Sequence, residues 1–362
     1  MVSFVCTACG KEYPLDTLDY RCSCGGLFRL DFTPPRFRTD LIDTAQFNIY
    51  RYRAFFPLAG DGWRDITLGE GCTSTVAYER DLFLKLDYAM PTLSFKDRGA
   101  SLLIRHCRDI GVKKVLQDSS GNAGNSIAAY CARARIACEI YVPKGTSPKK
   151  IRMIESHGAT VTVFDGTRDE TADACRRKAL AEGIYYANHV YNPLFYQGTK
   201  TYVYEVYEQL GRIPDNLFIP VGNGTLLLGC QMALMELFAS KVIRKLPKLF
   251  LVQSERCAPL YGADDGKPRD VVPGPTYAEG IAIGRPMRAQ EILGPSYAGE
   301  REVILVPERG ILPARDRLAR DGFFVEHTTA ATYAAYLDYI SGHELEGDVL
   351  IPLCGAGLKS EK

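Results

Sequence analysis

From about residue 65 onward the chain alternates two kinds of apolar pattern, and that alternation narrows its fold more than any other feature. VAYERDLFLKLDYA reads as a hairpin, KKVLQDSS as a short strand running into a polar turn, and GNSIAAYCARARIA has helical periodicity. CEIYVPKG is again strand-like, SPKKIRMIESHGA helical, TVTVFDG a strand and DETADACRRKALAEG a helix. NLFIPVGNG and KLFLVQSE read as buried strands. Strands that alternate with helices of this length predict an α/β protein with a mainly parallel sheet, because each helix carries the chain back across the sheet. There is no internal repeat and no low-complexity tract. At 362 residues and 46% apolar composition the chain is long enough for two lobes with a cleft between them, the usual place for small-molecule chemistry.

The charge excludes other classes. Lys and Arg total 44 against 43 Asp and Glu, a formal net charge of +1, and no basic block could neutralise a run of phosphates. No nucleic-acid partner is expected. No run approaches about 18 apolar residues, and MVSFVCTACGKEY lacks the pattern of a secretory leader, so no membrane partner and a cytoplasmic address are expected.

Twelve cysteines without a leader predict reduced thiols. Cys72, Cys107, Cys131, Cys138, Cys175, Cys230, Cys257 and Cys354 stand singly, as small hydrophobes do. Cys6, Cys9, Cys22 and Cys24 are clustered, and two close pairs with glycines behind them can present four thiolates to a structural zinc. One residue separates the second pair where two is usual, so metal-free thiols are the alternative. Residues 32–37, with Pro34 and Pro35, read as a linker.

Three glycine-bearing turns each follow a strand and are expected to open a helix, where backbone N–H groups can cradle an anion. They are Asp118-Ser119-Ser120-Gly121-Asn122-Ala123-Gly124-Asn125-Ser126, Val221-Gly222-Asn223-Gly224-Thr225, and Leu353-Cys354-Gly355-Ala356-Gly357-Leu358. None is a Walker A sequence or a full GxGxxG, which lowers the weight of nucleotide readings. A single turn of this kind can equally be structural. In Pro91-Thr92-Leu93-Ser94-Phe95-Lys96-Asp97-Arg98-Gly99, a lysine just inside a helix start beside Arg98 is a candidate amine nucleophile, the alternative being a helix lysine paired with Asp97.

Taken in order, Ser94-Phe95-Lys96-Asp97-Arg98-Gly99, Ser119-Ser120-Gly121-Asn122 and the loop at 222–225 resemble the fold-type II pyridoxal phosphate enzymes, and the threonine synthase family most closely. Leu68-Gly69-Glu70-Gly71-Cys72-Thr73, Glu279-Gly280-Ile281-Ala282-Ile283-Gly284 and Gly322-Phe323-Phe324-Val325-Glu326 extend the resemblance over nearly the whole chain, and the cysteine-rich arm is similar to that of many threonine synthases. The resemblance implies two open α/β lobes with the cofactor in their cleft: an arm at 1–35, a large domain at 36–100 and 185–362, and a small mobile domain at 101–184. It implies pyridoxal 5′-phosphate held as a Schiff base on Lys96, which also moves the α-proton. Asn122 would bond the phenolic oxygen, the N–H groups of Gly222, Asn223, Gly224 and Thr225 the phosphate, and Cys354 would lie beside the pyridine nitrogen. Ser119, Ser120 and Asn125 would meet the substrate carboxylate, and the fold analogy implies a homodimer.

One segment departs from the family. In Asn188-His189-Val190-Tyr191-Asn192-Pro193-Leu194-Phe195, the position of an arginine that binds substrate phosphate is Phe195, and a nearby serine position is Val190. Met90, Leu93 and Ala356 replace a common asparagine, glycine and histidine. Losing a charge-assisted phosphate contact removes about 1.5–3 kcal/mol and leaves an apolar wall. His189 could supply a donor or proton shuttle near the substrate, or be a packed histidine. The expected reaction is therefore elimination or replacement on an amino acid, in the strict threonine synthase form O-phosphohomoserine plus water to threonine plus phosphate. The alternatives are a serine or threonine ammonia-lyase or β-replacement synthase, and a catalytically inactive binding or regulatory paralogue.

Overall fold

The computed structural model describes residues 2–263 and 267–359, and the chain falls into two compact units. The first comprises 1–35, 40–70 and 96–198, and the second 36–39, 71–95 and 199–362.

The first unit opens with the cysteine-rich arm, a three-stranded antiparallel sheet in which Ser3–Cys6 lies between Glu12–Pro14 and Phe28–Asp31. Its residues 32–35, with Pro34 and Pro35, have no regular structure. The rest of this unit is a four-stranded parallel sheet, ordered Thr160–Phe164, Ala137–Pro143, Lys114–Gln117 and Tyr185–Tyr186. Helices Lys96–Asp109, Asn122–Ala134, Pro148–Glu155 and Arg168–Glu182 connect or flank these strands. Local chemistry sets their ends: Ser147 caps the third with Pro148 at its first turn, and Thr167 and Glu170 form a reciprocal capping box on the fourth. Leu116, Cys175, Ala179, Tyr186 and Tyr191 form a core that Tyr20 of the arm joins.

The second unit holds a six-stranded sheet ordered Arg301–Val306, Lys248–Ser254, Asn216–Pro220, Val349–Pro352, Leu82–Lys85 and Thr75–Glu79, in which only the last pairing is antiparallel. Its helices include Thr201–Leu210, Thr225–Ala239, Glu308–Arg320 and His327–Gly342. Phe218 stacks on Phe250 at 4.3 Å, with Tyr336 edge-on to Phe218 at 5.4 Å, in the middle of its core. Parallel strands buried on both faces explain why these segments read as continuous apolar runs.

The third glycine turn differs from expectation. After Val349–Pro352 the chain makes only a short 3-10 turn at Gly357–Lys359, and Gly355 and Ala356 form isolated bridges with Ser94 and Val325 instead. A Cβ on Gly355 would run into the Glu326 carboxylate, so the residue is there for close packing rather than to open a helix.

Candidate active site

In the second unit, Asn216–Pro220 pairs in parallel with Val349–Pro352, so the loops that leave their carboxyl ends, 221–225 and 353–356, emerge side by side. Crevices outside the carboxyl ends of parallel strands are where open α/β sheets bind ligands. Gly224 is the N-cap of the 15-residue helix Thr225–Ala239, with φ +74°, and as a glycine it has no side chain to cap that helix. Gly222 is buried, and a Cβ there would lie 2.9 Å from Ile283 Cγ1, 3.1 Å from Ile281 Cα and 3.2 Å from the Gly280 carbonyl oxygen. This bare, tightly packed loop offers what a phosphate dianion needs: backbone donors and the positive end of a helix. Cys354, 2% exposed, stands on the neighbouring loop, and its carbonyl accepts from Phe95 N–H at 3.0 Å. Lys96 is the next residue along the chain.

In the first unit, Lys96 begins the helix Lys96–Asp109 and is half-buried. Its Nζ lies 5.8 Å from the centre of the Phe195 ring, which is completely buried. Gly99 allows that approach, since a Cβ there would overlap the Phe195 ring. Ser126 Oγ donates to Asp97 Oδ1 at 2.5 Å, tying this helix to the one that begins at Asn122. Just before the lysine, Leu93 holds φ +61°, which explains why glycine suits that position.

His189 lies 5.8 Å from Phe195, ring centre to ring centre, and is 9% exposed. Burial, reinforced by the positive charges of Lys96 and Arg168, pushes its pKa well below the ordinary value, so the imidazole is neutral. Its Nδ1 is 3.4 Å from Gln117 Nε2; with the amide donating, the ring proton is left on Nε2. His189 is therefore a buried, neutral imidazole. Val190 is buried, and its N–H donates to Asn188 Oδ1 at 2.8 Å.

The turn at 118–121 leaves the carboxyl end of Lys114–Gln117, next to the parallel strand Tyr185–Tyr186 that leads to His189. Ser119, Ser120 and Asn122 are half-buried; Asn125 is buried, with an Oδ1 that has no hydrogen-bond partner among the described residues. Ser119 Oγ accepts from Gly121 N–H at 3.3 Å. An orphaned oxygen and a turn opening a 13-residue helix fit a polar ligand group there. Sequence reasoning did not assign the side chains that hold this turn. Tyr186 O–H donates to Asp118 Oδ1 at 2.5 Å, and Asn188 Nδ2 donates to the same oxygen at 2.7 Å. These bonds cross between parallel strands, and no periodicity in the sequence reports them.

The four clustered cysteines converge. Cys6 and Cys24 Sγ lie 3.5 Å apart, Cys9 and Cys22 3.6 Å, and Cys24 and Cys9 3.5 Å; all four lie within 4.8 Å of one another. Cys9 and Ala8 N–H groups donate to Cys6 Sγ, and Tyr13 O–H donates to Cys22 Sγ at 3.2 Å; that bond first, with bonds from Cys24 and Cys9, lowers the Cys22 pKa to about 6. The single residue between Cys22 and Cys24 does not prevent convergence. All twelve cysteines are free thiols.

A lysine at a helix start, a bare glycine loop on a strand–loop–helix unit and two largely parallel sheets are the parts expected of a fold-type II pyridoxal phosphate enzyme. A family model described as pyridoxal-phosphate dependent enzyme matches residues 66–355. The chain is 32% identical over 323 residues to threonine synthase of Mycobacterium leprae, covering 86% of this chain and 88% of that one. It is 28% identical over 374 residues to threonine synthase of Methanocaldococcus jannaschii, covering 98% and 92%. Among solved structures it is similar to a processed threonine deaminase isoform from Solanum lycopersicum (TM-score 0.69, 21% identity, 90% and 92% covered). It is likewise similar to maize serine racemase (TM-score 0.68, 20% identity, 79% and 88% covered). The chain belongs to the threonine synthase family of pyridoxal-phosphate dependent enzymes. No helix among the described residues is long and apolar enough to cross a membrane.

Proposed function

We propose that this chain is a pyridoxal phosphate-dependent lyase that eliminates or replaces a group on the side chain of an amino acid, with Lys96 as cofactor anchor and base for the α-proton. The reading is carried by membership of a family described as pyridoxal-phosphate dependent, and it is supported by Lys96 at a helix start in one unit and by the bare glycine loop 222–225 at a helix start in the other. When bound, pyridoxal phosphate supplies an electron sink for the α-carbon. The chain's own groups do the rest: the N–H groups of 222–225 hold the phosphate, Asn122 meets the ring oxygen, and Ser119, Ser120 and Asn125 meet the substrate carboxylate. The Cys354 thiol, a weak neutral donor, leaves the ring nitrogen unprotonated, which suits elimination over transamination.

The identity to threonine synthases supports conversion of O-phosphohomoserine to threonine and phosphate. One observation favours a second reading. Beyond Lys96 stand the apolar Phe195 ring and the neutral His189, a wall suited to a substrate whose side chain carries no phosphate, such as serine or threonine. Incubation with O-phospho-L-homoserine, L-serine and L-threonine separates them: threonine plus phosphate supports the first, a 2-oxo acid plus ammonia the second. Purified protein should absorb in the visible, and Lys96→Ala should lose that band. A colourless wild-type protein that takes up no cofactor overturns both.

The arm we read as a structural zinc site of Cys6, Cys9, Cys22 and Cys24. A tetrahedral four-thiolate shell with bonds of about 2.3 Å has edges of about 3.8 Å and leaves no open position, so the metal has no part in the reaction. Metal analysis should give one zinc per chain, and none overturns the assignment.

A further inference from the structure

The arm engages the rest of its unit in part through a cluster of three tyrosine rings. Tyr20, two residues before Cys22 and 8% exposed, meets Tyr186 edge-on at 5.1 Å and Tyr191 edge-on at 5.0 Å, while Tyr186 and Tyr191 lie 5.6 Å apart. The inner ring of this trio is not merely packed. Tyr186 O–H donates to Asp118, and Asn188 Nδ2 bonds both that carboxylate oxygen and, at 3.0 Å, the Tyr186 hydroxyl. Asp118 is the first residue of the turn that carries Ser119, Ser120 and Asn122, and the residue before it, Gln117, bonds His189.

A ladder of side chains therefore runs Gln117–His189, Asp118–Asn188 and Asp118–Tyr186 across the carboxyl ends of two adjacent parallel strands. Tyr20 braces its last rung from outside. The brace is carried on the cysteine cluster, and no periodic element of the α/β sheet supplies it.

We infer that Tyr20 is a positioning residue for the substrate turn, and that the metal-bound arm serves the enzyme by holding this ring against Tyr186. The inference rests on the reading that 119–125 receives the substrate carboxylate and that the four cysteines hold zinc. The arm is thereby a metal-dependent buttress, and loss of the metal loosens the substrate turn without touching the cofactor anchor.

The test compares full-length holoenzyme with Tyr20→Ala, Tyr20→Phe and Cys22→Ser. Amide hydrogen exchange in the peptide spanning 116–126 is the first readout. The KM and kcat for whichever of O-phospho-L-homoserine and L-serine the protein turns over are the second. Tyr20→Ala should speed exchange in that peptide and raise KM by about tenfold, the factor a lost pair of edge-to-face ring contacts corresponds to, with kcat changed far less. Tyr20→Phe keeps the ring and should restore both. Cys22→Ser, with its metal lost, should match Tyr20→Ala while keeping the visible cofactor band. Wild-type exchange and KM in a folded Tyr20→Ala protein overturn the inference, and so does failure of Tyr20→Phe to rescue. A metal-free Cys22→Ser protein that leaves 116–126 protected overturns the role of the metal. If wild-type protein turns over neither probe, the functional reading fails on its own, and the exchange measurement still decides the brace.

Discussion

Adding one methyl group at Gly222 tests the phosphate cradle directly. The contacts of an added Cβ differ in kind. Ile283 Cγ1, at 2.9 Å, belongs to a side chain that can turn away, but Ile281 Cα at 3.1 Å and the Gly280 oxygen at 3.2 Å are backbone. The 222–225 loop must then move by a few tenths of an ångström. Overpacking of this kind costs about 1–3 kcal/mol. Moving N–H donors off a dianion forfeits a similar amount, since a hydrogen bond to a charged group is worth about 1.5–3 kcal/mol. Gly222→Ala should therefore weaken cofactor binding by roughly 10- to 150-fold, as 1.4 kcal/mol is a factor of ten. The assay is titration of cofactor-stripped protein with pyridoxal phosphate, followed in the visible band. Gly310→Ala is the control: it lies in the helix Glu308–Arg320, where a Cβ meets only Ala334 Cβ at 3.6 Å and Pro307 Cγ at 3.8 Å. It should bind cofactor normally and raise stability by about 0.5–1 kcal/mol. Gly222→Ala with a dissociation constant within about twofold of wild type would refute the cradle, because a loss of even one donor exceeds that.

Two further perturbations concern stability. Burial holds His106 at a pKa of about 4, with its Nε2 lacking a partner among the described residues and a bond to the Leu15 carbonyl and the charge of Asp16 opposing the shift. The unfolded imidazole titrates at its ordinary value, so its contribution is present above about pH 6.5 and declines as pH falls towards 4, by about 1.4 kcal/mol per unit. Urea midpoints between pH 7.5 and 4.5 should fall less steeply for His106→Phe than for wild type; parallel slopes would contradict the assignment. Lys85 and Glu205, both essentially fully buried, pair at 2.9 Å, and Glu205 also accepts from Cys72 N–H at 2.8 Å. Glu205→Ala strands a buried ammonium and should cost about 3–5 kcal/mol in chemical denaturation, and Lys85→Met combined with Glu205→Leu should recover much of that. A cost below about 1 kcal/mol for the single variant would place the pair in contact with water.

The alternating runs from Thr75 to Ser254 announced their strands and helices because a strand buried on both faces must be apolar throughout and its connecting helix must be periodic. Lys96 and the 222–225 loop were legible for a related reason: a helix start and a bare glycine turn depend on residues adjacent in the chain. Cys6, Cys9, Cys22 and Cys24 announced a cluster by spacing, although only the pairing of Ser3–Cys6 with Phe28–Asp31 brings the second pair to the first. The third glycine turn misled, since Gly355 answers to the Glu326 carboxylate and Gly357 to the Phe324 ring and the Val325 carbonyl, close neighbours in space but not in the chain. For His189, read from sequence as a donor, a shuttle or a packed histidine, the structure adds burial, a pKa pushed well down and a Gln117 neighbour. The ladder of Asp118, Tyr186 and Asn188, and Tyr20 braced against it, had no signature at all. Local propensity and backbone demand are written in consecutive residues, so the sequence by itself determined the class of fold, the helix that starts at Lys96 and the glycine turn at 222–225. Desolvation and contacts between strands far apart in the chain exist only once the sheet has formed, and so the burial of His189 and the side-chain bonds that hold the 118–121 turn were decided by the tertiary structure alone.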